Sequence, residues 1–192
     1  TAPKWLLPPA KDPWTITPAE VARLIEIPPR DTLNGRRDRA VLELLYGCGL
    51  RRSELLALNV GHVDFERGTV LVSGKGARER LLPVASAALA ALRYYLASRG
   101  SRLAPDAPLF VRHCFGRALD ERLDGPTLYQ RFARLNRNFE KHVHPHLLRH
   151  CFAVHLLQGG ADLRHVQALL GHASPETTAL YLRLVKSDVR KA

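Results

Sequence analysis

Methionine is absent from this sequence, even at position 1, although the chain has 192 residues. We therefore expect a processed product or a segment cut from a longer protein. Acidic residues are also scarce, since 18 Asp and Glu stand against 29 Lys and Arg, which gives a formal net charge of +11. A charge excess of this size favours a polyanion as the partner over a basic surface that is merely solvated.

Cysteine is almost as rare as methionine, with three residues in the whole chain. The three cysteines, Cys48, Cys114 and Cys151, lie far apart, and none belongs to a Cys-x-x-Cys pair. This pattern argues against a zinc ribbon and favours a reducing compartment. No apolar run approaches membrane-spanning length and no signal-peptide pattern is visible, so we expect a cytoplasmic protein without a membrane partner.

Apolar residues make up 46% of the chain, enough for the core of one good-sized domain. Residues 1–14 hold four prolines and are typical of an extended arm or linker, so the domain is expected over residues 15–192. Helices are predicted from a capping box at Thr17 to about Ile27, over 36–46 and 52–58, from a Ser86 cap to Gly100, and from Pro126 onward. Strands are predicted at 62–65, 69–72 and 80–84. The fold class is therefore mainly α with a small antiparallel β-sheet (α+β).

The helix that begins at Pro126 is predicted to be amphipathic. Its inward stripe consists of Leu128, Phe132, Leu135 and Phe139. Polar and basic residues recur three and four apart on the opposite face, namely Arg131, Arg134, Asn138 and Lys141.

The end of the chain predicts three short helices with a polar residue at each junction. Pro145 favours a helix start, which places His146 and Arg149 three apart on one face beside a helix N-terminus that attracts anions. Gly171 ends the next helix, so His172 falls in a turn, and a third helix carries Tyr181. Two histidines, an arginine and a tyrosine brought together by short turns suggest chemistry on a phosphate.

Each candidate residue also has a structural interpretation, which for His146 and His172 is a histidine packed in the core. Arg51 either pairs with Glu54 or clamps a phosphate with its planar guanidinium. Lys75, at a glycine-flanked hairpin tip, is either a solubilising residue or a proton donor. Tyr181 is either a packing residue or a nucleophile. Carboxylates and thiolates do not stand at ligand spacing around the histidines, so no metal site is predicted.

Five motifs follow one another along the chain: Gly-Leu-Arg-x-Ser-Glu, Gly-Lys-Gly, His-x-x-Arg-His, Leu-Gly-His and, nine residues further on, a tyrosine. This series resembles the tyrosine recombinases, or phage-integrase-type recombinases, and is nearest to their Xer-like branch. The matching positions are Arg51, Lys75, His146, Arg149, His172 and Tyr181. The resemblance covers about residues 17–186 and implies the recombinase catalytic-domain fold, that of the DNA breaking-rejoining enzymes. The family's N-terminal core-binding domain is expected to be absent from this chain.

The resemblance also implies a mechanism. Tyr181 would attack a DNA phosphodiester and form a 3′-phosphotyrosyl link, while Arg51 and Arg149 neutralise the charge on the phosphorane. His172 would add a hydrogen bond, Lys75 would protonate the departing 5′-oxygen, and His146 would act as general base or phosphate donor. Because the covalent link conserves the bond energy, no cofactor is expected. The basic face of Arg131, Arg134 and Lys141 is assigned to the DNA backbone.

The implied partner is a double-stranded DNA recombination site, bound by a homo- or hetero-tetramer on synapsed DNA, with a monomer in solution left open. Two other functions also remain open. One is a nicking-closing enzyme like a type IB topoisomerase, and the other is a DNA-binding protein on the same fold without cleavage activity.

Overall fold

The computed structural model describes residues 15–74, 79–100, 103–114 and 117–171. These ranges form seven α-helices and two small antiparallel sheets. The helices are α1 (Pro18–Glu26), α2 (Leu33–Gly47), α3 (Arg52–Ala57), α4 (Ser86–Arg99), α5 (Gly125–Asn136), α6 (Pro145–Gln158) and α7 (Leu163–Leu170). The strands are β1 (Val63–Asp64), β2 (Thr69–Ser73), β3 (Glu79–Pro83), β4 (Val111–Cys114) and β5 (Arg117–Arg122). The predicted fold class is confirmed.

Local capping chemistry sets the ends of several helices. At α1 the hydroxyl of Thr17 accepts a hydrogen bond from the Glu20 amide at 3.2 Å, and the Glu20 carboxylate accepts one from the Thr17 amide at 2.7 Å. This is the predicted capping box. The side chain of Asp162 caps α7, and Gly171 ends it in the left-handed conformation at φ 61°.

Two predicted helix starts were wrong. The second helix begins three residues earlier than predicted because Thr32 caps it through the amide of Gly35. Ser86 does not cap α4, since it is the first residue of that helix and the preceding Ala85 makes no side-chain capping bond.

The first sheet has the order β1-β2-β3, with Val70 opposite Leu82 and Val72 opposite Arg80. The second sheet, a hairpin of β4 and β5, was not among the predicted strands. Its strands are short and β5 is largely charged, so neither shows a clear alternation of apolar and polar residues.

One hydrophobic core runs through most of the domain, and α2 packs against both α4 and α6 at its centre. A second, smaller cluster attaches α7 to α6. It is formed by Ala153, Val154, Leu157, Val166 and Leu170. This cluster fixes the position of the last turn of α7, which borders the candidate site. Among the described residues, no helix has the length and apolar character needed to cross a membrane.

Candidate active site

A buried carboxylate, Glu54, lies at the centre of the site. It is the third residue of α3, and its side chain is 4% exposed. It accepts hydrogen bonds from the amide and the Nη1 of Arg51, both at 2.8 Å, and from both Nη atoms of Arg80 at 2.9 Å. Nη1 of Arg149 lies 3.8 Å from Oε2 of the same carboxylate. Three arginines thus share one negative charge, which leaves the cluster with a formal charge of 3 − 1 = +2.

Arg51 and Arg80 keep Glu54 ionised. Burial raises the pKa of its carboxyl, but the hydrogen bonds from Arg80 and from the backbone and side chain of Arg51 outweigh burial and hold the pKa at about 2. At neutral pH the carboxylate therefore accepts hydrogen bonds from the Arg51 and Arg80 guanidinium groups and stays a counter-charge for Arg149.

The same arginines bind the C-terminal end of α7. Three successive backbone carbonyls accept hydrogen bonds from three different side chains. The carbonyl of Leu169 accepts from Nε of Arg80 at 2.9 Å, that of Leu170 from Nη2 of Arg149 at 2.7 Å, and that of Gly171 from Nη2 of Arg51 at 3.3 Å. The last carbonyls of a helix have no partner within the helix and carry the negative end of its dipole, so cations stabilise them.

Arg149 is the most deeply buried of the three arginines, with only 3% of the residue exposed. It extends from α6, and its Nη1 donates to the carbonyl of Gly49 at 2.6 Å. Gly49 has a φ of 60°, and a β-carbon there would lie 2.3 Å from Cδ1 of Phe152. Only glycine fits this position, which holds the carbonyl that Arg149 contacts.

The structure brings together two of the six predicted catalytic residues, Arg51 and Arg149. His146 lies in the first turn of α6 as predicted, but it is exposed and makes no hydrogen bond to the described residues. Its neighbour His144 caps this helix, and its Nδ1 accepts from the amide of Leu147 at 3.2 Å. Burial, with nearby His142 and His146, lowers the pKa of His144 and favours the neutral ring that this bond needs.

Lys75, His172 and Tyr181 lie outside the described residues, as does the third predicted helix near the end of the chain. Their roles stay predictions. The sequence places His172 directly after Gly171, whose carbonyl contacts Arg51.

The prediction that one helix presents Arg131, Arg134 and Lys141 on a common face was wrong for Lys141. Helix α5 ends at Asn136 because the side-chain amide of Asn136 exchanges two hydrogen bonds with the backbone of Val143 and closes the chain into a loop. Asn138 and Lys141 therefore lie beyond the helix.

Two of these three basic residues are held in ion pairs. Nε of Arg131 lies 2.6 Å from Oδ2 of the buried Asp38, and Nζ of Lys141 lies 3.0 Å from Oε1 of Glu20. Arg134 is exposed on α5. Their assignment to the DNA backbone stays a prediction.

Arg80 is the site residue that sequence reasoning missed. One signal was available, because Arg80 lies two residues before buried Leu82 in β3, on the same face of the strand, and is paired with buried Val72 on β2. An arginine on the inward face of a strand needs a buried partner, which here is Glu54. Within the described ranges, no group of three or more His, Cys, Asp or Glu side chains is arranged to hold a metal ion.

Comparison with known proteins identifies the family. The model of the phage integrase family matches residues 15–187. Tyrosine recombinase XerC of Escherichia coli O6:K15:H31 (strain 536 / UPEC) is 42% identical over 174 residues, which are 90% of this chain and 56% of that protein. Tyrosine recombinase XerC of Salmonella typhi is 41% identical over the same shares of the two chains. This chain therefore spans little more than half the length of these relatives.

Solved structures agree with this assignment. The crystal structure of XerA recombinase matches this chain with a TM-score of 0.77 and 34% sequence identity. The match covers 92% of this chain and 62% of the XerA chain. XerH site-specific recombinase, bound to a palindromic difH substrate in a post-cleavage complex, matches with a TM-score of 0.75 and 27% sequence identity. The match covers 93% of this chain and 52% of the XerH chain. The predicted recombinase fold is confirmed. The chain belongs to the phage integrase family, as a domain of the Xer-like tyrosine recombinase type.

Proposed function

We propose that this chain cleaves and rejoins DNA strands at a specific site through a 3′-phosphotyrosyl intermediate on Tyr181. The observation that carries the proposal is the arginine cluster on Glu54. Arg51 and Arg149 are far apart in the sequence, yet both contact this carboxylate and the end of α7 next to His172. The order of the motifs along the chain, which resembles that of the family, supports the same assignment.

The cluster suits a phosphodiester under attack. Negative charge grows on the non-bridging oxygens of the phosphorane, and fixed positive charges stabilise it best when they need not reorganise. The Arg51 side chain is 37% exposed, so it can meet a phosphate directly. Arg149 adds its charge from a buried position that the carbonyls of Gly49 and Leu170 fix.

The other motif residues complete two transesterification steps. The Tyr181 oxygen attacks phosphorus, its proton passes to His146, and the 5′-oxygen leaves with a proton from Lys75. A 5′-hydroxyl from a second strand then gives its proton to Lys75 and attacks the phosphotyrosine, and Tyr181 leaves with the proton that His146 holds. His172 donates a hydrogen bond to the phosphorane. The number of phosphoester bonds is unchanged, so the chemistry consumes no ATP.

The proposed partner is a double-stranded DNA recombination site, held by a homo- or hetero-tetramer that aligns two such sites. The XerH structure described above holds a recombinase of this fold on a DNA substrate after cleavage, which supports DNA as the substrate class.

Tyr181→Phe is expected to abolish covalent attachment to DNA while leaving DNA affinity unchanged, because only the nucleophilic oxygen is removed. The measurement uses a pool of nicked duplexes of randomised sequence, in which cleavage near the nick traps the intermediate, followed by denaturing gels and sequencing of the captured DNA. Tyr94→Phe, which removes the hydroxyl of a half-exposed tyrosine on α4, is the matched control and should keep the covalent band.

Three outcomes would favour other functions. A covalent band that persists in Tyr181→Phe would rule out this nucleophile. Relaxation of supercoiled plasmid without recombinant products would favour a nicking-closing enzyme. Tight DNA binding without a band from the unsubstituted chain would favour a non-catalytic DNA-binding protein.

Arg134→Gln is expected to weaken DNA binding about equally for all sequences and to reduce the slope of log Kd against log salt by about 1, as loss of one phosphate contact does. Arg134 gives the cleanest test of the basic surface, because changing Arg131 or Lys141 would also remove an ion pair within the protein, to Asp38 or to Glu20. The control is Arg67→Gln in the β1–β2 turn, where the side chain is 83% exposed. An unchanged slope in Arg134→Gln would remove α5 from the DNA surface.

A further inference from the structure

We propose that Arg80 is a positioning residue of the DNA-cleavage site, which anchors both the end of α7 and the β2–β3 hairpin to Glu54. The inference rests on the proposed function, because it concerns the same site. Arg80 does not contact the phosphate in this role.

All three nitrogens of the Arg80 guanidinium donate hydrogen bonds. Its Nη1 and Nη2 donate to Oε1 and Oε2 of Glu54, each at 2.9 Å, and its Nε donates to the carbonyl of Leu169 at 2.9 Å. The side chain is 15% exposed. A planar fork of this kind holds a carboxylate in a fixed orientation, which the single nitrogen of a lysine does not reproduce.

Arg80 joins three segments that are distant in sequence. Leu169 lies in the last turn of α7, two residues before Gly171 and three before His172. Arg80 itself is in β3, next to the last strand pair, Ser73 with Glu79, and Lys75 follows Ser73 by two residues. One side chain thus connects α3, through Glu54, to the segments that lead into two of the proposed site residues.

The backbone of Gly171 lies directly against the Arg80 guanidinium. A β-carbon at Gly171 would lie 3.1 Å from Nη1 and 3.2 Å from Cζ of Arg80, and the φ of 61° disfavours other residues as well. The carbonyl of Gly171 contacts Arg51. A shift of Arg80 therefore displaces the α7 end relative to Arg51, the arginine proposed to meet the phosphate.

These contacts define what Arg80 does in the reaction. Its donors are directed at Glu54 and Leu169, so its effect comes through the placement of other groups. Misplacing a reacting group by about 1 Å can slow a reaction about a hundredfold without weakening binding in proportion. A residue that only stabilises the fold would lower the melting temperature without this selective loss.

The experiment compares Arg80→Lys with Arg99→Lys. Arg99 is the matched control because it is a partly buried arginine that donates to two backbone carbonyls, of Pro108 and Leu109, and does not contact Glu54 or α7. At saturating nicked DNA, Arg80→Lys is expected to lower the rate of covalent complex formation at least about tenfold, with Kd for DNA within about twofold, since the charge is kept. Arg99→Lys should leave both quantities within about twofold of the unsubstituted chain.

A second measurement needs no DNA reaction. Amide hydrogen exchange of the 192-residue chain without DNA should be about tenfold faster in the last turn of α7 in Arg80→Lys, with α4 unchanged. Hydrogen exchange therefore tests the role of Arg80 independently of the proposed function. If the unsubstituted chain gives no covalent product, the proposed function fails, and exchange alone decides whether Arg80 anchors α7.

Two results would overturn the positioning role. One is a cleavage rate within about twofold of the unsubstituted chain despite faster exchange at α7, and the other is slower cleavage with exchange unchanged. If Arg80→Lys does not fold, Gly171→Ala replaces it, because the added β-carbon displaces the same guanidinium. The same pattern of slower cleavage, unchanged affinity and faster α7 exchange is expected, and its absence would equally overturn the role.

Discussion

Replacing Glu54 with glutamine is expected to lower the free energy of unfolding by about 3–5 kcal/mol, the range seen when one member of a buried ion-pair network is removed. Glutamine keeps the shape of the side chain but not its charge. Three guanidinium groups, of Arg51, Arg80 and Arg149, would then face one another without a counter-charge. The amide NH2 would also place a donor where Glu54 now offers an acceptor to Arg80.

Urea unfolding of the two chains measures this difference. Glu140→Gln is the control, because Glu140 is 82% exposed and its contact to Arg23 is 3.7 Å long. An exposed pair of this kind contributes between about 0 and 1 kcal/mol, so the control should change little. If Glu54→Gln unfolded within about 1 kcal/mol of the unsubstituted chain, Glu54 would not be the centre of the site.

The same substitution has a predicted pH signature. The pKa of Glu54 is about 2 in the folded chain, below its ordinary value of 4.5, so the folded state favours the ionised carboxylate. The stabilisation is fully present above pH 4.5 and is lost as the pH falls towards 2, in total about 3 kcal/mol. Glu26 also has a pKa of about 2, so the unsubstituted profile contains more than one carboxyl. Only the difference between the profiles of the two chains reports Glu54, and it should shrink as the pH falls from 4.5 to 2.

The sequence predicts best where the physical cause is local. The start of α1 and the end of α7 follow from a capping box and a glycine, each within a few residues of the feature it controls. The end of α5 depends on Asn136 meeting the backbone of Val143, seven residues away, while the apolar spacing continues to Phe139. Periodicity alone therefore extends the helix too far, and Lys141 was placed on a helix that does not reach it.

The site residues show the same difference between local contacts, which the sequence predicts, and contacts between distant segments, which it does not. For Arg51 the sequence offered an ion pair with Glu54 as an alternative to a phosphate clamp, and the structure shows that ion pair in full. Arg80 could not be assigned in the same way, because its partners stand 26 and 89 residues away along the chain. Contacts across such distances depend on the whole fold. Motif matching finds the residues proposed to meet the substrate more readily than those that hold them in place.

Gly49→Ala is expected to destabilise the chain by about 2–5 kcal/mol, the sum of a left-handed backbone cost of about 1–2 kcal/mol and an overpacking cost of about 1–3 kcal/mol. The φ of Gly49 is 60°, and the added β-carbon would lie 2.3 Å from Cδ1 and 2.7 Å from Cε1 of Phe152. The structure can relieve this overlap only by moving the ring or the backbone. Moving the backbone shifts the Gly49 carbonyl, which accepts from Arg149 at 2.6 Å.

A double-mutant cycle with Phe152→Ala separates the two costs. Removing the ring removes the overlap but not the backbone strain, so Gly49→Ala should cost only about 1–2 kcal/mol in the Phe152→Ala background. The coupling between the two positions is then about 1–3 kcal/mol. If the two substitutions were additive to within about 0.5 kcal/mol, the ring would not be what requires glycine here. Because strain at Gly49 acts on Arg149, Gly49→Ala should also slow covalent attachment to DNA, and the Phe152→Ala background should restore part of that rate.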